Sequence, residues 1–226
     1  KSYLDRLTSD DKKILYYTED MSQSPALAIW KSQGAEVIKL DNIIDTQFIS
    51  WLEAKDEKIK FQRVDAEITE QEDEEKKEIS TQDGVTETDI IRNIFREAIS
   101  NENVTVKINS LNVDEAPPTI ILLPEQMRRI NDIGALMEQK IPGLPEHHVL
   151  LINQNHSLIK ALLKLKSGSV IITNKQSSPT EDLTKDLAKH LYSLAKSSIG
   201  GLDAKGINEL NTSTATLMAT LLERSI

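Results

Sequence analysis

The chain has 226 residues, 38% hydrophobic, 28% charged and only 4% aromatic, with no cysteine and a formal net charge of −9. That length suits two ordinary domains with cores of Leu, Ile, Val and Ala. Disulfide frameworks and thiolate chemistry are excluded by the missing cysteine, and no apolar run approaches the ~18 residues of a membrane span. Between Asp65 and Asp89 eleven acids face two lysines, a surplus equal to the whole net charge. The remainder is balanced, so no basic patch is available to attract nucleic acid, and a cytosolic compartment is expected.

The first stretch alternates between strand and helix patterns. "KKILYYTE" from Lys12 reads as a strand, and "SQSPALAIWKSQG" as a helix with Ser22 or Ser24 as cap, Pro25 in its first turn and Gly34 past its end. "AEVIKL" is a second strand. Asp45 is positioned to cap the helix "TQFISWLEAK", with Ile44 and Ile49 spaced as a hydrophobic staple across the cap. "IKFQRVD" completes a βαβαβ unit, whose strands should be parallel.

From Asp65 to Gly84 the chain has too few apolar residues to offset its conformational entropy and reads as a solvated linker or a frayed helix. "TETDIIRNIFREAIS" then gives an amphipathic helix with Ile90, Ile91, Ile94, Phe95 and Ile99 on its buried face. "VTVKINSL" and "PTIILL" follow as strands around the turn-forming "NVDEAPP". "HVLLINQ" is another strand, and "HSLIKALLKLKSG" a short helix. The last stretch divides at Gly200 and Gly201 into two helices with leucines at steps of three and four, Leu183 to Ile199 and Ala204 to Glu223. Each helix of such a terminal hairpin has two apolar faces but only one partner, which favours a bundle completed by a second molecule.

"LPEQMRRINDIGALMEQK", Leu123 to Lys140, is the most pointed feature. Met127, Ile130, Ile133, Met137 and Ile141 make one apolar stripe, while Arg128, Arg129, Asn131, Asp132, Glu138 and Gln139 take the other side. Packing on neighbouring strands is the ordinary fate of such a stripe, since burying each side chain contributes about 1.5 to 3 kcal/mol. Partner binding is the alternative, favoured by two adaptable methionines, by Gly134 within the helix, and by the loop of Pro142, Gly143 and Pro145 that follows.

Signatures of common catalytic machinery are absent, including glycine-rich phosphate loops, G-x-S-x-G and H-E-x-x-H. Glu19, Asp20 and Asp41 follow predicted strands, where an open parallel sheet binds ligands, and they define an alternative reading as a magnesium-binding, receiver-like or metal-dependent enzyme. Solvated loop acids are the plainer reading. His147, His148 and His156 are candidate metal ligands by type, but adjacent residues of a strand face opposite ways, so His147 and His148 should not converge.

The segments "KILYYTED", "KSQGAEVIKLDNIIDTQFISWLE", "KFQRVD", "PPTIILLPEQMRRI" and "HHVLLINQNHSLIKALL" resemble, in the same order, the bacterial heat-shock protein 90 chaperones of the HtpG type. Most specific are the I-D-x-x-x-I entry at Ile44, the N-x-x-H-x-L-I-K turn from Asn153, and "LAKHLYSLA" from Leu187. The resemblance implies an α/β plus α+β fold. Residues 1–66 would be the last α/β part of the family's middle domain, a small βαβαβ parallel-sheet unit. Residues 67–84 would be an acidic linker, and residues 85–226 an α+β C-terminal dimerisation domain ending in the helical hairpin.

By the same resemblance the chain is a C-terminal part of a longer ATP-dependent chaperone. It is not itself expected to be an enzyme or to hold a cofactor, because ATP and Mg belong to the family's nucleotide-binding part. The implied partners are a second copy of the chain, unfolded or partly folded client proteins and co-chaperones, without nucleic acid or membrane. The implied dimer interface comprises Leu187, Leu191, Leu194, Ile207, Leu210, Leu217 and Leu221. The family's amphipathic helix touches clients in the cleft between protomers, which makes Met127, Ile130, Ile133 and Met137 client contacts. In some members an adjacent client surface begins with Asp-Glu-Trp, where this chain has Asp45, Thr46 and Gln47. Phe48 and Trp51, one turn onward, offer aromatic surface instead, although Trp51 equally suits the core. The bacterial cytoplasm is the implied location, with an organelle of bacterial descent as the alternative.

Overall fold

A computed structural model of the chain describes residues 12–18, 23–42, 44–57, 59–66, 86–111, 116–125, 127, 129, 147–169 and 179–223. The chain divides into two compact units, Lys1–Glu67 with Leu123–Ile141, and Ile68–Leu122 with Pro142–Ile226. The acidic stretch 67–84 lies outside the described residues. The sequence assigns Leu123 and the helix after it to the second domain, but the contacts of Leu123, Glu125 and Arg129 are with the first unit.

In the first unit β1 (Lys12–Tyr17), α1 (Ser24–Ser32), β2 (Val37–Lys39), α2 (Asp45–Lys55) and β3 (Ile59–Arg63) follow the expected alternation. The strands are parallel in the order β2-β1-β3. Ile14 and Tyr16 of β1 gather with Phe61 and with Ile49 of α2 into one core, against which Ile38, Leu40, Leu52 and Ile59 pack. Ile49 is only 1% exposed, so its burial contributes about 1.5 to 3 kcal/mol. Gly34 adopts a φ of 76° just past α1, a left-handed conformation that spares glycine the cost other residues meet.

Two expected caps are not made. α1 starts at Ser24 after Gln23, without a side-chain cap bond, and Ser22 lies outside the described residues. Gln23 instead turns inward, where its Oε1 accepts from the Thr18 N–H at 2.9 Å. In α2 the cap position falls on Ile44, and Asp45, one residue inside the helix, accepts from the Asn42 N–H at 3.0 Å. Ile44 is 69% exposed while Ile49 is buried, so the staple is absent. Ile44 belongs instead to an outward row with Phe48 and Trp51.

The second unit comprises α3 (Glu87–Ile99), β4 (Val104–Asn109), β5 (Thr119–Leu122), β6 (His148–Asn153), α4 (Ser157–Ser169), α5 (Pro179–Ser198) and α6 (Ala204–Glu223). Its sheet is mixed: β6 runs between β4, which is parallel to it, and β5, which is antiparallel. All six β6 residues are buried, as befits a central strand, whereas β4 alternates between inside and outside. α3 presents Ile91, Ile94 and Phe95 to the core and opens with a capping box in which Thr86 and Asp89 satisfy each other's backbone N–H.

The N-x-x-H turn has a clear physical role. The Asn153 side chain, 3% exposed, accepts from the N–H groups of Leu111 and Asn155 at 3.1 Å each. His156 then uses Nδ1 to accept from the Leu158 N–H, capping α4. α5 packs on α3, α4 and β5, and α6 packs chiefly on α5. Between them Gly200 and Gly201 donate to the carbonyls of Ser197 and Lys196, with Gly200 at a φ of 68°, which closes the α5 terminus.

Candidate functional site

The site residues of the first unit are arranged around the outer edge of β3, which pairs with no further strand among the described residues. Because the Val64 N–H donates to the Tyr16 carbonyl of β1, Phe61 and Arg63 turn their backbone groups the opposite way, to the side where a next strand would pair. Side chains occupy that position. Glu53 accepts from the Phe61 N–H at 2.6 Å, Glu125 accepts from the Arg63 N–H at 2.9 Å, and Arg129 donates to the Phe61 carbonyl at 3.2 Å. A parallel bridge between Ala66 and Leu123 leads the chain into this seal. Open sheet edges template pairing with other chains, and this one is closed along these groups.

Arg129 joins both carboxylates. Its Nε donates to Glu125 at 2.9 Å, and its Nη atoms donate to the two Glu53 oxygens at 2.6 and 3.2 Å, a forked geometry that guanidinium supports and ammonium does not. Burial opposes the charge on Glu53, but the Arg129 hydrogen bonds and the Phe61 N–H outweigh it and hold the carboxyl below its usual range. Burial likewise opposes the charged form of Arg129, and its bonds to Glu53 and Glu125 outweigh that and raise its pKa. Glu125 also accepts from the Tyr16 hydroxyl at 2.9 Å. Burial, then the Glu125 charge, raises that phenol.

This arrangement sets the direction of Met127. Glu125 and Arg129 are four residues apart and share one helix face, so Met127, midway between them, lies on the other. It is 37% exposed. The sequence pattern sets Arg129 on the solvated side, whereas the structure turns it inward, where two carboxylates and an open carbonyl receive it. Ile130, Ile133 and Met137 lie outside the described residues.

Phe48 and Trp51 are exposed at 55% and 54%, their rings stacked with centroids 6.0 Å apart, and Lys55 Nζ sits 5.0 Å from the Trp51 ring centre. Trp51 is therefore not a core residue. At roughly 100° per residue this row and the Ser50–Glu53 row that meets Arg129 point to nearly opposite flanks of α2.

In the second unit the proposed interface residues divide into two groups. Leu191 and Leu217 are buried within the single chain, and Leu187 and Leu210 are half-buried. Leu194, Ile207 and Leu221 remain exposed, and beside them on α6 stand Leu222, which belongs to the same leucine spacing, and Met218, which that spacing did not single out. His190 Nδ1 lies 3.2 Å from Ser213 Oγ across the hairpin, and burial lowers its pKa.

Among the described residues the candidate metal ligands do not converge. His147 is exposed, while buried His148 stacks on Tyr192 and lies 2.8 Å from its hydroxyl, whose pKa burial pushes up to about 12. His156 caps α4. Glu19 and Asp20 lie outside the described residues, and exposed Asp41 pairs with Lys39 at 3.3 Å. Among the described residues no group of three or more His, Asp or Glu is placed to hold a metal ion, and no helix is long and apolar enough to cross a membrane.

The Glu53–Glu125–Arg129 network escaped the sequence reading. The four-residue spacing of Glu125 and Arg129 signals an ion pair, but Glu53 lies 76 residues from Arg129 and nothing local announces it.

Comparison with known proteins agrees with these elements. The family described as Hsp90 protein matches residues 1–223. The chain is 27% identical over 200 residues to the chaperone protein htpG of Bacteroides fragilis strain 638R, covering 80% of this chain and 28% of that protein. It is 29% identical over 167 residues to the chaperone protein HtpG of Porphyromonas gingivalis strain ATCC 33277, covering 69% and 23%. To the chaperone protein HtpG of Burkholderia cenocepacia strain HI2424 it is 26% identical over 171 residues, covering 71% and 26%. The chain spans about a quarter of the length of these relatives. With residues 1–223 accounted for by one family, the chain belongs to the Hsp90 protein family.

Proposed function

We propose that this chain is a chaperone part that homodimerises through α5 and α6 and offers apolar side chains to unfolded or partly folded proteins. The observation that carries the reading is the set of apolar side chains left outward on α6, which packs chiefly on α5 and leaves Ile207, Met218, Leu221 and Leu222 between 46% and 65% exposed. Stable monomers seldom leave such an apolar row exposed to water, and a two-fold axis lets one row cover its copy.

Client contact is assigned to Met127 with Ile130, Ile133 and Met137, and separately to Phe48 and Trp51. Methionine adapts to varied partners, and stacked aromatic rings supply area at small entropic cost. Co-chaperones are further partners of the same class. Within this reading the chain works in the bacterial cytoplasm and does not turn over ATP itself. The test replaces Met127 and Ile130 by Ser. The fold should remain intact by circular dichroism while binding to a permanently unfolded substrate weakens, and unchanged binding refutes the client assignment.

A further inference from the structure

We infer that Arg129 is a positioning residue for client contact, a clamp that seals the β3 edge and by doing so holds Met127 outward. The inference rests on the proposed client role of Met127 and adds what sets that side chain's direction.

Three observations carry it. The outward N–H groups of Phe61 and Arg63 donate to Glu53 and Glu125, and the Phe61 carbonyl accepts from Arg129, so side chains satisfy groups that a neighbouring strand would otherwise pair. Among the described residues Arg129 is the one that touches both carboxylates, and its side chain is 19% exposed against 15% for Glu53 and 21% for Glu125, so bulk solvent screens the cluster only in part. Finally, the four-residue step from Glu125 to Arg129 leaves Met127 no inward position while both ends of that step stay on β3. Releasing the arginine frees the helical turn to rotate, and a contact that was pre-organised must be ordered again at each binding event.

The experiment uses the full chain with Arg129→Gln, Arg129→Lys, Glu53→Gln and Met127→Ser, reading amide hydrogen exchange and binding to reduced, carboxymethylated lactalbumin. In Arg129→Gln the Phe61 and Arg63 amides should exchange about tenfold faster or more, while amides of α5 stay as they were. Lactalbumin binding should weaken about three- to tenfold in the same variant, with Arg129→Lys recovering part of both effects. Glu53→Gln keeps the side-chain volume but removes the charge and one of the two acceptors of the Arg129 fork, so it should move both readouts in the same direction if Arg129→Gln fails to fold. Unchanged exchange at Phe61 and Arg63 overturns the clamp. Faster exchange with unchanged lactalbumin binding, in a background where Met127→Ser does weaken binding, overturns the positioning role alone. If Met127→Ser itself leaves binding unchanged, the client assignment falls and the positioning role with it.

Discussion

Replacing Leu221 by Glu should convert a dimer into monomers. Leu221 is 49% exposed in the single chain, so a partner has about half of its area left to cover, a contribution near 1 kcal/mol of the ~1.5 to 3 available to a whole side chain. A two-fold interface counts that contribution twice. The glutamate adds a larger penalty, because a carboxylate withdrawn from water without a partner costs several kcal/mol, again twice. The total of about 5 kcal/mol or more raises the dissociation constant by at least ~1,000-fold, enough to turn a micromolar dimer monomeric at about 10 µM. Light scattering on a sizing column reads this directly as a mass of 25.4 kDa rather than twice that. Asn208→Glu, the same charge on another exposed face of α6, should leave the mass unchanged. A wild-type chain already at the single-chain mass, or a Leu221→Glu variant that stays dimeric, refutes the reasoning.

Asn153→Ala should lower stability by about 2 to 4 kcal/mol in denaturant unfolding, since it strips the Leu111 and Asn155 N–H groups of their acceptor inside a buried turn. Phe48→Ser with Trp51→Ser should leave the unfolding free energy within about 1 kcal/mol while weakening capture of an unfolded substrate, because both rings are largely outside the core. His190, whose pKa burial lowers from its ordinary 6.5, binds its proton more readily unfolded than folded. Its contribution is therefore full above pH 6.5 and is lost as pH falls below it, and His190→Gln should flatten that part of the stability profile. Glu53 has a dependence of the same sign at lower pH: its carboxyl is held below the ordinary 4.5, so stability present above that pH should decline as acid is added, and Glu53→Gln should remove the decline.

How far the sequence could be read follows from the range of each interaction. The alternation of β1, α1, β2, α2 and β3 was legible because strand and helix periods are local, and α6 runs from Ala204 to Glu223 as its leucine spacing predicts. The cap and staple at Asp45 and Ile44 were misread because a cap pattern fits a helix start one residue away, and the Asn42 N–H competed for the carboxylate. The inward turn of Arg129 was not legible at all. A guanidinium on a helix is ordinarily a solvent residue, and only the fold brings the Glu53 carboxylate and the Phe61 carbonyl to it. Likewise the leucine spacing treats Leu217 and Leu221 as equals, whereas packing on α5 buries the first and leaves the second outside.

The order of strands in the second unit has a consequence for how the chain is made. β4 and β5 are synthesised before β6, yet each pairs in its sheet with β6 and not with the other. Until residues 148–153 leave the ribosome, two apolar strands wait without hydrogen-bonding partners. Their final cover comes later still, when the Thr119 hydroxyl meets the Leu191 carbonyl 72 positions downstream. A segment built this way passes through an interval in which its own nascent strands are open to mispairing.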